Sequence, residues 1–276
     1  MQTNSGEPRR VLPEELTEVF SNLGLREGNK VVLHTSLPRI GIVEGGAAMV
    51  IHRLLGVLGK KGTLLLPTFT SVTRHASMHD DFTKLGCWCE GKEDRHIPFI
   101  PELQPDKELG EVAHRLCSWP ASRRSKHPAY SFVAAGSDSD ELVKGYSLTD
   151  PLQPLRTFLR REPFVLTIGM DLSSATAIHL AEEKVLPDKF VKERALVVGS
   201  AGQTWVDVVA LGCSMGFNRV ESAGRVFLRE TQLGNARVRI YSMKELVLAA
   251  ERVLGDEPSA LHCRRPGCFS CQASKR

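Results

Sequence analysis

The apolar residues of this chain change their spacing several times, and each change marks an element. Residues 30–34, Lys-Val-Val-Leu-His, read as a strand. A turn-prone stretch over 41–46 follows, after which residues 47–58 repeat apolar side chains at helical spacing and meet Gly59 as a stop. Residues 62–67, Gly-Thr-Leu-Leu-Leu-Pro, form a second short apolar run bounded by Gly and Pro, so 30–67 is expected to be a β-α-β unit. Upstream, Pro13-Glu14-Glu15 opens an amphipathic helix that Gly24 closes. Downstream, the pattern predicts a helix over 109–117, strands over 131–135 and 164–168, a helix over 175–185, strands over 206–211 and 237–241, and a helix over 243–254 closed by Gly255. From Thr68 to about Pro105 the periodicity is lost while Gly, Cys, His and charge accumulate, as in a long functional insertion. The expected class is α/β, a mixed central sheet flanked by helices with an insertion after the second strand. One main domain over 1–260 precedes a Cys-rich tail over 261–276.

Composition narrows the function. With 42% hydrophobic and 25% charged residues over 276 positions, the chain can bury a substantial core. The start lacks the apolar stretch of a signal peptide and no run approaches a membrane span, so the expected location is the cytoplasm, with no membrane partner. Seven unevenly placed cysteines argue for reduced thiols or a metal site rather than a disulfide framework. The net charge of +4 is scattered, without the basic stripe and stacking aromatics of a nucleic-acid groove. Residues 78–111 run against that trend, with nine acids and four Lys/Arg. Such a patch could attract a cationic ligand or simply face water.

His34-Thr35-Ser36-Leu37 stands at a strand end, and Gly45-Gly46 stands at a helix entrance, where hydroxyls and free backbone N–H groups could meet a pyrophosphate or an amide, or could form only a turn. The stretch HTSLPRIGIVEGGAAMVIHRLLGVLGKKGTLLLPTFT resembles the opening of the aminoglycoside 3-N-acetyltransferases, a family distinct from the GNAT acetyltransferases. Arg124-Ser125-Lys126-His127-Pro128 is similar to the family's R-S-x-H-P block, and Thr176-Ala-Ile-His179-Leu-Ala-Glu182 to its T-x-L-H-L-A-E block. The resemblance implies acetyl-coenzyme A as co-substrate and an amine as acceptor. It also places Arg124 and Ser125 beside the coenzyme, for which His34, Thr35, Ser36, Leu37, Gly45 and Gly46 are the other candidate contacts. Thr35 stands for a serine, Gln153-Pro154-Leu155 for the usual S-P-L, and the region after Val191 matches less well, which leaves the acceptor open.

The chemistry is consistent with that implication. An amine must lose a proton to attack a thioester, and histidine is suited to take it. His179 and Glu182 are three residues apart and share a helical face, with Thr176 one turn earlier. A carboxylate on one ring nitrogen would orient His179 and raise the basicity of the other nitrogen, while Thr68 or Thr176 could stand near the thioester oxygen. A buried structural role is the alternative for His179. Asp80, Asp81, Glu93 and Asp94 are the candidates for binding a polycationic acceptor. In the tail, Cys263, Cys268 and Cys271, completed by Cys213 or His262, supply enough ligands for a tetrahedral, structural zinc, the alternative being free thiols. Cys87 and Cys89 form a weaker pair.

The expected function is therefore direct acetyl transfer to a small-molecule amine, foremost the 3-amino group of an aminoglycoside antibiotic, by a monomer or homodimer. Two alternatives are carried. The same fold could acetylate an amino sugar, nucleotide amine or biosynthetic intermediate, or a zinc-stabilised protein without turnover could bind a polar ligand.

Overall fold

The computed structural model describes residues 9–75, 96–190, 192–224, 226–266, 268 and 271. Its centre is a seven-stranded sheet. In chain order the strands are β1 (Lys30–Thr35), β2 (Thr63–Pro67), β4 (Arg123–Arg124), β5 (Phe132–Gly136), β6 (Phe164–Ile168), β9 (Arg229–Leu233) and β10 (Ala236–Ser242). Their order across the sheet is β9-β10-β6-β1-β2-β5-β4. β1 runs parallel to both β2 and β6, whereas the outer pairs are antiparallel. A second sheet joins β3 (Arg74–His75), β7 (Lys192–Gly199) and β8 (Gly202–Val209), all antiparallel.

Alternation along the central strands sorts their side chains into two cores. Val31, Leu33, Leu64, Leu66, Leu166 and Ile168 face helices α1 (Pro13–Asn22), α2 (Gly46–Leu58) and α3 (Glu111–Cys117). Val32, Leu65 and Val165 face the opposite layer, α4 (Ser139–Lys144), α5 (Gln153–Leu159), α6 (His179–Val185) and α7 (Met243–Asp256). The near-continuous apolar runs of β1 and β2 follow, because strands covered on both faces have no solvent side.

The expected β-α-β unit is present, with Val31 opposite Leu64. Several boundaries differ. The helix expected over 175–185 begins at His179 and is preceded by 3₁₀ turns at Leu172–Ser174 and Thr176–Ile178. The strand expected over 206–211 ends at Val209, and the helix expected to stop at Gly255 continues to Asp256. β7 was not anticipated: it and its hairpin partner are exposed over much of their length, which removes the apolar alternation that would reveal them. Helix α5 was hidden by Pro154, which sits within the first turn, where a missing N–H costs nothing. Among the described residues, no helix is long and apolar enough to cross a membrane.

Leu166 is fully buried on the central strand β6. Leu166→Ala should lower the unfolding free energy by about 2–5 kcal/mol, read from urea denaturation. A loss below about 1 kcal/mol would contradict this position at the centre of the packing.

Candidate active site

The parallel strands β1, β2 and β6 end on one side of the sheet, where open α/β sheets bind ligands. A cleft of about 220 Å³ lies there. Leu33, His34, Thr35 and Pro67 line one side, Ser174, Thr176 and His179 another, and residues 211–215 a third.

Behind His179 runs a buried chain of charge. The Nδ1–H of His179 donates to Glu182 Oε2 over 2.7 Å. Lys189 Nζ donates to the other carboxylate oxygen. All three residues are at most 4% exposed. Burial pushes the Glu182 pKa upward, but the hydrogen bond and charge of His179, with those of Lys189, outweigh it and hold the carboxyl below its ordinary range. Glu182 is thus an ionised acceptor, which fixes the His179 proton on Nδ1 and leaves Nε2 for the cleft. The Phe217 ring packs edge-on against the imidazole with centroids 4.8 Å apart, and Phe190 stands at 6.4 Å.

Lys189 escapes sequence reasoning because it lies beyond the helix. The chain leaves α6 at Leu186 and turns through a 3₁₀ segment, Pro187–Lys189, which folds the lysine back onto Glu182. A lysine flanked by Leu186, Phe190 and Val191 was its one signal.

His34, Thr35 and Thr176 line the cleft. His34 Nε2, Thr35 Oγ1 and Thr167 Oγ1 are buried with no hydrogen-bond partner among the described residues, and His34 and Thr167 face each other in register. Burial lowers the His34 pKa to about 4, so its imidazole is neutral at neutral pH.

Other anticipated residues lie elsewhere. Ser36 N donates to Ile168 O, Leu37 packs against the core below the sheet, and Gly45 and Gly46, with φ of 74° and 57°, open α2. Thr68, Arg124 and Ser125 are outside the cleft lining. Arg124 Nε donates to Thr68 Oγ1 (3.2 Å) and Ser131 Oγ (3.0 Å), and its Nη2 donates to Thr68 O (2.8 Å). Its Nη1 donates to Leu103 O. Ser125 Oγ accepts from Phe132 N over 2.9 Å. This set braces the strand ends and the insertion. Asp80, Asp81, Glu93, Asp94, Cys87 and Cys89 lie outside the described residues. Cys213, Cys263, Cys268 and Cys271 converge, with their sulfurs within 4.8 Å of one another.

Other groups that line the cleft carry no signal in the sequence. Arg74 Nη1 donates to Tyr130 Oη and, over 3.2 Å, to Glu193 Oε2. Asp106 accepts from Ser71 N and Oγ, and Glu108 lies exposed in the same lining. These residues come from four separate segments that only the fold brings together.

The family model for aminoglycoside 3-N-acetyltransferase matches residues 32–255. The chain belongs to that family. The aminoglycoside 3-N-acetyltransferases are acetyl-CoA-dependent acyltransferases, and this chain is an enzyme of that kind. The chain is 27% identical over 248 residues to the SPbeta prophage-derived aminoglycoside N(3')-acetyltransferase-like protein YokD of Bacillus subtilis (strain 168), spanning 87% of this chain and 90% of the relative. It is 29% identical over 208 residues to aminoglycoside N(3)-acetyltransferase IX of Micromonospora chalcea, spanning 73% of this chain and 72% of the relative. The crystal structure of the Bacillus subtilis YokD protein superposes with a TM-score of 0.77 at 27% identity, covering 88% and 98% of the two chains. The apoenzyme of aminoglycoside acetyltransferase AAC(3)-IVa gives 0.79 at 24% identity over 98% and 99%, which shows the shared fold.

His34 and His127, both buried, carry pKa values lowered from 6.5 to about 4, chiefly by desolvation. The unfolded chain therefore binds protons between those values that the folded chain refuses, and stability falls as pH drops from about 6.5 to 4. Urea midpoints across that window should decline, and His34→Gln should reduce the total loss of stability across it by on the order of 3 kcal/mol. A flat profile would contradict the buried neutral state.

Proposed function

We propose that this enzyme transfers the acetyl group of acetyl-CoA directly to the 3-amino group of an aminoglycoside, with His179 as general base. The supporting observation is the buried Lys189–Glu182–His179 chain opening on the cleft. Acetyl-CoA supplies the thioester carbonyl. The acceptor ammonium first releases one proton to solvent, which frees the lone pair, and as nitrogen forms the new C–N bond His179 Nε2 takes a second proton from it. Glu182 stabilises the imidazolium that results, and Lys189 keeps Glu182 ionised. His179 then returns the proton to the departing thiolate as the C–S bond breaks, leaving an amide and free coenzyme A. Thr176, on the same wall, offers a hydroxyl toward the reacting carbonyl. The unpartnered polar atoms of His34, Thr35 and Thr167 suit a ligand rich in amides and hydroxyls.

The names of the relatives point to the acceptor, and so does charge. Asp106 and Glu193 are engaged within the protein, whereas Glu108 is exposed on the cleft lining and can meet an ammonium group. Asp80, Asp81, Glu93 and Asp94 carry the same expectation by charge alone.

Coenzyme A release over a panel of aminoglycosides, amino sugars and nucleotide amines tests the reading. His179→Ala should lower turnover by roughly 10²–10⁴-fold with little change in coenzyme affinity. An active variant with an unshifted pH profile would remove His179 from the mechanism. Release with no amine in the panel would refute the acceptor class.

Glu108→Gln should raise the aminoglycoside KM several-fold and weaken its salt dependence, leaving the acetyl-CoA KM unchanged. An unchanged acceptor KM at both low and high salt would exclude Glu108 from acceptor binding.

A further inference from the structure

The four converging cysteines come from two places. Cys213 lies on the loop after β8, and Cys263, Cys268 and Cys271 lie in the tail. None is in a disulfide. Tetrahedral zinc, with Zn–S bonds of about 2.3 Å, sets its sulfurs about 3.8 Å apart. Cys263 and Cys271 sulfurs are 3.7 Å apart, and all four lie within 4.8 Å. Cys271 Sγ also accepts the Cys263 N–H over 3.2 Å, a bond that stabilises a metal-bound thiolate.

The tail is seated independently of these sulfurs. Leu261 is fully buried, and Arg219 Nη1 donates to Ala260 O (2.8 Å) and His262 O (2.6 Å). A Cβ on Gly216 would stand 2.1 Å from Leu261 O, so only glycine lets loop and tail approach this closely.

The same loop reaches the catalytic chain. Gly212, beside Cys213, packs on the Lys189–Glu182 pair: a Cβ there would lie 3.1 Å from Lys189 Cε and 3.9 Å from Glu182 Oε2. Phe217, at the loop's far end, holds the His179 ring. Cys213 and Cys268 also line the cleft.

We propose that Cys213, Cys263, Cys268 and Cys271 bind one zinc ion as a closed four-thiolate site, and that the metal positions the 211–217 loop against His179, Glu182 and Lys189. The four ligands leave no open coordination position, so the zinc takes no part in acyl transfer. The loop and tail become one wall of the cleft, closed by metal rather than by sheet. The positioning half rests on the reading of His179 as the base, whereas metal binding does not.

Protein purified without chelator should contain one zinc per chain by elemental analysis, and cobalt(II) exchanged into the site should give the intense thiolate-to-metal absorption of four sulfur ligands. Absence of zinc, with no cobalt absorption after metal is added to the reduced full-length chain, would overturn the site whatever the enzyme's activity. Cys271→Ser should lose the metal, and Cys271→His should retain it, since imidazole also ligates zinc. Chelation of the wild-type protein should speed hydrogen exchange in 211–217 and lower kcat about 10–100-fold, with a smaller change in the acetyl-CoA KM. Metal-free protein with unchanged exchange in that loop and unchanged kcat would overturn the positioning role and leave the acetyl-transfer reading standing.

Discussion

A carboxylate stripped of water organises this molecule's chemistry. Glu182 is wholly buried, and burying an ion is costly unless both of its oxygens are answered. Lys189 answers one and His179 the other. Removing one partner of such a pair costs about 3–5 kcal/mol, because the remaining charge has nowhere to go. The pair therefore constrains both the helix that carries Glu182 and the turn that returns Lys189. The orientation of the histidine follows from that constraint.

The sheet supplies the frame. Three parallel strands end beside the cleft, and the two cores they separate pin the strands from both faces. His34 and Thr167, paired in register, break the apolar pattern near those strand ends, and His34 lines the cleft. Buried polar atoms without partners are costly in a core, and their position at strand ends beside a cleft suits ligand binding.

Much of this was legible in the residues. The strands of the β-α-β unit are apolar enough to declare themselves, and the three-residue spacing of His179 and Glu182 gave their contact directly, although the helix starts at His179 rather than four residues earlier. The cysteines were readable as candidate ligands by type and spacing, and the fold brings the four sulfurs together. Lys189 and the cleft carboxylates were not, because their partners are set by turns and by strand pairings far apart in the chain. Arg124 shows the opposite problem: its motif marked an important residue, but whether a guanidinium faces inward or toward a ligand depends on the carbonyls the fold brings to it. Here Thr68 and Leu103 carbonyls meet it from the protein side.

The small antiparallel sheet of β3, β7 and β8 has a different standing from the central one. Its strands are largely exposed, so their register is weakly tied to any core, and hairpin strands tolerate longer or shorter turns without disturbing a crossover helix. Yet it carries Arg74 and Glu193 into the cleft. The cleft thus takes His179 from the layers around the central sheet and Arg74 and Glu193 from the more exposed sheet. Sequence drift in that sheet can reshape the wall of the cleft while the buried Lys189–Glu182–His179 chain keeps its geometry, which gives an enzyme of this architecture room to change what the cleft admits without disturbing its buried charges.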